Sequence, residues 1–268
     1  VNGDYDAFLE AQYNKACQLQ DPDRAIRIAM KRKDLLVQNK GSQFVLNQYQ
    51  KLKSPQAWGN EKLFGKEKRA ANFLKWQADV IHSPLLAHNI QDKNKRSDVR
   101  KTTRICFESI MKHMGQKKSK QRPGLRTAEL LRHGLRLSEI RAELYIHLLK
   151  QMDTNIAPNA GTAIPLAWEL MALFLCTFPP PNDFENYLEV IFRSPTHQAA
   201  AAKYKCTGLI RRIVYHGQTQ TPATEAECAN VQNYLSSRMG GFEDPRPGNS
   251  YDDLRHPYVG PSQGGGGG

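Results

Sequence analysis

The 268-residue chain has none of the short signatures that mark the common enzyme chemistries. It contains no Gly-x-x-x-x-Gly-Lys-Ser/Thr cradle, no Gly-x-Ser-x-Gly elbow and no His-Glu-x-x-His pair, which removes the phosphate-binding loop, the nucleophilic serine and the zinc hydrolase. Cys-x-x-Cys is missing too. The five cysteines, Cys17, Cys106, Cys176, Cys206 and Cys228, are odd in number, widely spaced and set among apolar residues. That pattern reads as reduced, buried thiols of a cytosolic protein rather than a disulfide framework or a metal site. His133 and His147 lie on or beside amphipathic helices, so both read as partly buried or surface histidines, and neither a metal nor a cofactor is expected. Long hydrophobic runs are scarce. The longest, 166–178, holds Glu169 and closes on three prolines, short of the roughly 18 residues that span a bilayer. The first residues show no secretory signal pattern. Strict apolar–polar alternation is almost absent, which argues against strands.

What is present is helical periodicity in a chain that is 40% hydrophobic, enough to bury a sizeable core. Val99, Thr103, Cys106, Phe107, Ile110, Met111 and Met114 recur at spacings of three and four and make one apolar stripe. Leu137, Ile140, Leu144, Tyr145, Leu148, Leu149 and Met152 make another. Segment 166–178 is apolar nearly all round and is expected to be the central helix, ended by prolines 179–181, which lack the amide donor and clash with the preceding turn. Asn182 or Asp183 is then expected to cap a helix whose stripe is Phe184, Tyr187, Leu188, Ile191 and Phe192. Two further helices are expected, one carrying Leu209, Ile210, Ile213 and Val214 and the other Cys228, Val231, Tyr234 and Leu235. The fold class is therefore all-α: a compact helical bundle with a central buried helix, an N-terminal helical extension and a flexible C-terminal tail. The expected divisions are 1–70, read as three short helices at 8–19, 22–37 and 44–52; 71–239, the helical domain; and 240–268, where Gly, Pro, Asp and Ser dominate. Trp168 and Tyr145 are expected in the core, and Glu143 and Lys150 in local polar contacts.

The most informative stretch is 137–192. It contains Glu143-Leu144-Tyr145, Lys150-Gln151, Trp168-Glu169-Leu170 and then Phe178-Pro179-Pro180-Pro181-Asn182-Asp183-Phe184-Glu185-Asn186-Tyr187-Leu188. Upstream stand Lys75-Trp76, the run Ile81-His82-Ser83-Pro84-Leu85-Leu86, Cys106-Phe107 and His113-Met114-Gly115. In these landmarks, over about 70–235, the chain resembles the MyTH4 domain, the helical module of unconventional myosin tails, some kinesins and some RhoGAP proteins. It departs from the family pattern at Ala167, where Gly is usual, and at His147, where Gln is usual. The resemblance implies a non-enzymatic, cytoplasmic, cytoskeleton-associated module, linked to microtubule binding or to packing against a neighbouring FERM or RhoGAP domain. One catalytic lookalike, Ile191-Phe192-Arg193-Ser194, resembles the arginine-finger loop of RhoGAP domains. Its flanking glycines are missing and its apolar pair is needed for the core.

Charge is the second signal. Between 93 and 141, fifteen Lys and Arg face four Asp and Glu, so nearly all of the formal +12 sits in about one fifth of the chain. Lys112, Lys117, Lys118, Lys120, Arg122 and Arg126 crowd the segment around 115–124, while Lys93, Lys95, Arg96, Arg100, Lys101 and Arg104 open the preceding helix. Such a cluster is an electrostatic footprint for an acidic surface, and its alternative is a solvated, merely solubilising face. Acidic tubulin tails on microtubules rank first as partner and an acidic protein second. Nucleic acid is excluded because the segment has no interleaved aromatics and no recognition motif. A membrane surface ranks last, because the basic segment lacks a spare apolar face.

Overall fold

The computed structural model describes residues 2–238, and the expected tail 240–268 lies outside the described residues. The described chain is mainly helical, with no strand; its one β-bridge joins Leu52 to Leu86. The helices are α1 (Asn2–Gln18), α2 (Pro22–Lys40), α3 (Pro55–Asn60), α4 (Lys66–Ala71), α5 (Lys93–His113), α6 (Pro123–Arg136), α7 (Arg141–Met152), α8 (Ala160–Thr177), α9 (Asn182–Arg193), α10 (Gln198–Lys203), α11 (Cys206–His216), α12 (Glu225–Ala229) and α13 (Val231–Arg238).

Side-chain caps start several of them. Asp21 accepts from Arg24 N at 3.0 Å, with Pro22 at the first position of α2. Ser54 accepts from Ala57 N at 3.1 Å, Asp92 from Lys95 N at 2.6 Å, and Thr224 and Glu227 close a capping box on α12. Each satisfies an amide that the first turn leaves without a partner. The expected cap of α9 is corrected. Pro181 is its N-cap, while Asn182 and Asp183 are already helical, and Asp183 instead takes the Tyr49 hydroxyl at 3.1 Å and Lys51 at 2.7 Å. The expected helix over 44–52 is corrected as well, since that stretch holds only a 3-10 turn, Leu46–Gln48. The last expected helix is two, α12 and α13, broken at Asn230. Val214 stays partly exposed on α11.

At the centre lies α8. Eighteen residues long with a mean hydropathy of 1.5, it has the length and composition of a membrane span, yet the bundle encloses most of it, including Trp168 and every residue from 170 to 177. Beside it α7 is enclosed on all sides: every residue from 142 to 152 is buried, the polar ones included. The irregular chain at 72–90 covers what the stripe pattern would leave as a wet face. Without helix or sheet, that segment must find other partners for its backbone groups. Glu143 supplies two of them, accepting from Leu85 N and from Leu86 N, the latter at 2.9 Å. Lys150 donates to Asn72 O at 2.6 Å and Lys75 O at 2.5 Å, and Gln151 to Gln77 O at 3.2 Å. His147, also buried, sits edge-on to Phe107 and 3.1 Å from Glu143.

The core does not stop at residue 70. Ile26, Met30, Tyr49 and Trp58 belong to the same buried cluster as Phe107, Trp168 and Phe184. A charged lattice fastens α2 to α9 and α11: Glu185 lies between Lys33 (2.7 Å) and Arg211 (2.8 Å), Glu189 meets Arg211 at 2.6 Å, and Arg193 joins Asp34 (2.7 Å) to Glu189. The arginine of the catalytic lookalike is thus a structural tie.

Candidate partner-binding surface

Two of the elements just described position the basic residues. α5 buries Val99, Thr102, Thr103, Cys106, Phe107, Ile110 and Met111, which leaves Lys93, Lys95, Arg96, Arg100, Lys101 and Arg104 exposed. The 115–122 turn carries Lys117, Lys118, Lys120 and Arg122, all exposed, over a fixed base. Gln116 N donates to Met111 O at 2.8 Å, Asn159 reaches Met114 O at 3.2 Å, and Gln121 reaches Glu129 at 2.7 Å. The run that is continuous in sequence is divided in space. With 1.5 Å of rise per residue, the 21-residue α5 holds its two ends ~30 Å apart. Lys93, Lys95 and Arg96 therefore lie at one end and Lys117, Lys118 and Lys120 at the other.

Arg126 leaves the candidate set. It is buried, and its guanidinium donates to Lys112 O at 3.2 Å and Gln121 O at 3.4 Å, so it staples the base of the turn. Burial pulls its pKa down. It stands among the exposed cations in sequence, but it falls on the inner face of α6 with Thr127, Leu130, Leu131 and Gly134. Lys112 is half-buried and pairs with Glu108 at 2.9 Å.

Acidic residues from distant segments neutralise part of the remainder. Lys95 meets Glu139, Arg100 meets Glu61 at 3.4 Å, Arg122 meets Glu225 at 3.0 Å and Lys117 meets Glu108 at 3.7 Å. Three of those four acids lie outside any local window around their partner. Lys93, Arg96, Lys101, Lys118 and Lys120 form no ion pair among the described residues. Exposed pairs of this kind are worth only about 0.2–1 kcal/mol and exchange readily for an external anion. The arrangement can attract and hold an acidic surface. For metal chemistry it offers nothing, since no group of three His, Cys, Asp or Glu converges among the described residues.

Residues 127–230 match the model of the MyTH4 domain family, a narrower span than the landmarks alone cover. The high molecular weight form of myosin-1 from Acanthamoeba castellanii is 30% identical over 236 residues, 88% of this chain, which spans only 14% of that relative's length. Among solved structures, the myosin VII MyTH4-FERM MF1 domain of Dictyostelium discoideum covers 60% of this chain at 20% identity with a TM-score of 0.48, the match taking in 32% of that chain. The human myosin 7b C-terminal MyTH4-FERM domain in complex with harmonin-a PDZ3 covers 60% at 20% identity with a TM-score of 0.47, again 32% of that chain. With the family match lying on the helices that form the bundle's centre, and a myosin heavy chain aligning along most of the sequence, this chain carries a MyTH4 domain.

Proposed function

We propose that the domain is a cytoplasmic, cytoskeleton-associated binding module that docks on the acidic surface of microtubules through the 115–122 turn, tethering a larger protein. The observation that carries this reading is the presentation of Lys117, Lys118 and Lys120 on a fixed base, with Lys118 and Lys120 unpaired among the described residues. Tubulin's acidic tails supply complementary charge, and the contact requires no apolar groove, which the turn does not offer. Attraction of this type acts within a screening distance of about 10 Å at 0.1 M salt, so binding weakens as salt rises.

Reversal of Lys117, Lys118, Lys120 and Arg122 to Glu is expected to abolish co-sedimentation with microtubules while far-ultraviolet circular dichroism stays unchanged. Arg126 is kept in that variant because it is structural. Removal of the acidic tubulin tails by limited proteolysis is expected to weaken binding of the unaltered protein. Failure of the unaltered protein to pellet at low salt rejects tubulin and leaves an acidic protein partner, or a platform for an adjoining FERM or RhoGAP domain, as the reading.

A further inference from the structure

Phe64 and Leu63, 84% and 83% exposed, are the two most exposed large apolar side chains among the described residues, and they stand side by side in the turn between α3 and α4. The turn is held in place. Arg69 donates to Gly59 O and to Lys62 O, both at 2.9 Å, and Gly65 takes φ +68° to start α4, a conformation that other residues resist. Glu61, at the root of the turn, pairs with Lys53 at 2.7 Å and Arg100 at 3.4 Å, which ties the root of the turn to the exposed face of α5. That face lines a shallow cavity of about 550 Å³ with Arg100, Lys101, Arg104, His82 and Ser97, and it carries a third exposed apolar side chain, Ile105. Glu108 also lines the cavity, but Lys112 and Lys117 answer its charge. Lys62 and Lys66 flank the tip and are exposed, with Glu67 beside them.

We propose that this face is a peripheral docking site for an anionic lipid bilayer, with Leu63 and Phe64 entering the headgroup layer while Lys62, Lys66, Lys101 and Arg104 meet lipid phosphates. The microtubule surface proposed above meets this one only where Lys117 pairs with Glu108, and its Lys118 and Lys120 are not needed for this site. Two features select a bilayer. Side chains more than four-fifths exposed protrude rather than line a groove, and a fluid bilayer accepts a protrusion without a matching pocket. The cations around the tip supply the electrostatic attraction that apolar insertion of two residues needs as its complement. The basic segment by itself argues against a membrane because it has no spare apolar face; here the apolar element comes from a turn some thirty residues earlier in the chain, brought alongside by the Glu61–Arg100 pair.

The full chain is tested by co-sedimentation with phosphatidylcholine vesicles, with and without phosphatidylserine. Binding is expected only with the anionic lipid. The variant L63S/F64S is expected to bind at least about tenfold more weakly and K66E/K101E to lose binding, both with unchanged circular dichroism, since all four positions are exposed. Tryptophan emission of F64W is expected to shift to the blue on anionic vesicles, and excess inorganic phosphate at constant ionic strength is expected not to compete. L63S/F64S is expected to leave microtubule co-sedimentation unchanged, which separates the two surfaces. The proposal is overturned by absence of vesicle binding, by binding that L63S/F64S leaves intact, by an unshifted F64W spectrum, or by displacement with free phosphate. It is also overturned if L63S/F64S impairs microtubule binding while no vesicle binding occurs, which makes the tip a protein contact.

Discussion

Arg126 carries the same charge as the lysines of the neighbouring turn and lies beneath them because it serves backbone carbonyls, those of Lys112 and Gln121. Arg126→Ala is therefore expected to lower unfolding free energy by about 2 kcal/mol, the cost of leaving buried acceptors unpaired, and to leave partner binding intact once folding is allowed for. Denaturant titration and co-sedimentation of the same variant check both halves. The buried titratable groups set an acid limit. Burial and the charge of Arg126 push the His113 pKa from 6.5 to about 4; its ring reaches Leu166 O at 3.1 Å and the Thr127 hydroxyl at 2.9 Å. Because the folded value lies below the unfolded one, the unfolded chain binds more protons between them, so stability present above pH 6.5 is lost as pH falls toward 4. Glu143 behaves similarly at lower pH. Burial would raise it, but the hydrogen bond from His147 at 3.1 Å and the approach of His88 at 3.5 Å, with their charge, outweigh burial and bring it from 4.5 to about 2, so its contribution is lost between those values. The melting temperature measured against pH is expected to fall in two steps, and His113→Asn is expected to flatten the upper one selectively.

The helices that the sequence announces most clearly are those that bury one kind of side chain: α5 from its three-and-four stripe, α8 from its apolar run, and α9 from the aromatic spacing between 184 and 192. Elements whose residues answer to distant partners are not legible in that way. Glu143 and Lys150 on α7 read as organising local polar contacts, but their partners at 72–90 are far off in sequence and that segment has no periodicity to give it away. Residues 44–52 carry enough apolar positions for a helix stripe, yet Phe44 and Tyr49 take their places from aromatic contacts with Tyr187, not from a helical path. The basic residues of the candidate surface were legible as a cluster, but not their division between the two ends of α5 or the burial of Arg126. Helix α6 depends on a missing side chain. At Gly134 an added Cβ would lie 2.3 Å from the Phe178 ring, the residue that ends α8 and whose carbonyl takes the Tyr145 hydroxyl at 2.8 Å. Gly134→Ala normally favours a helix, yet here overpacking is expected to win and to destabilise by about 1–3 kcal/mol. A rise in thermal stability would show that α6 can move off Phe178 freely.

On the scale of the whole molecule, the question is whether the first 70 residues form an arm or part of the bundle. Trp58 is fully buried: its ring nitrogen donates to Ser83 O at 3.1 Å, its face meets Phe73 at 5.5 Å, and the Lys150 ammonium lies 5.8 Å from it. Tyr49 packs on Phe184 and Tyr187, and α2 places Ile26 and Met30 in the same core. Losing a buried Trp or Phe side chain costs about 3–5 kcal/mol and a buried Met or Ile about 2–5, while a whole domain is stable by only about 5–15 kcal/mol. Removal of these residues together therefore exceeds what the remaining bundle can tolerate. It also thins the charged lattice: Glu185 keeps Arg211 but loses Lys33, and Arg193 keeps Glu189 but loses Asp34. A fragment starting at residue 71 is expected to be helical by circular dichroism but to lack a cooperative thermal transition and to aggregate, whereas the protein spanning 2–238 melts as one unit. An unchanged melting profile for the shorter fragment would make the N-terminal helices an accessory layer and would place the folding unit within the MyTH4 match itself. The outcome also governs how surface tests are read, because Leu63 and Phe64 stand on this N-terminal portion while Lys118 and Lys120 do not, and only a chain that keeps both portions folded presents the two candidate surfaces at the same time.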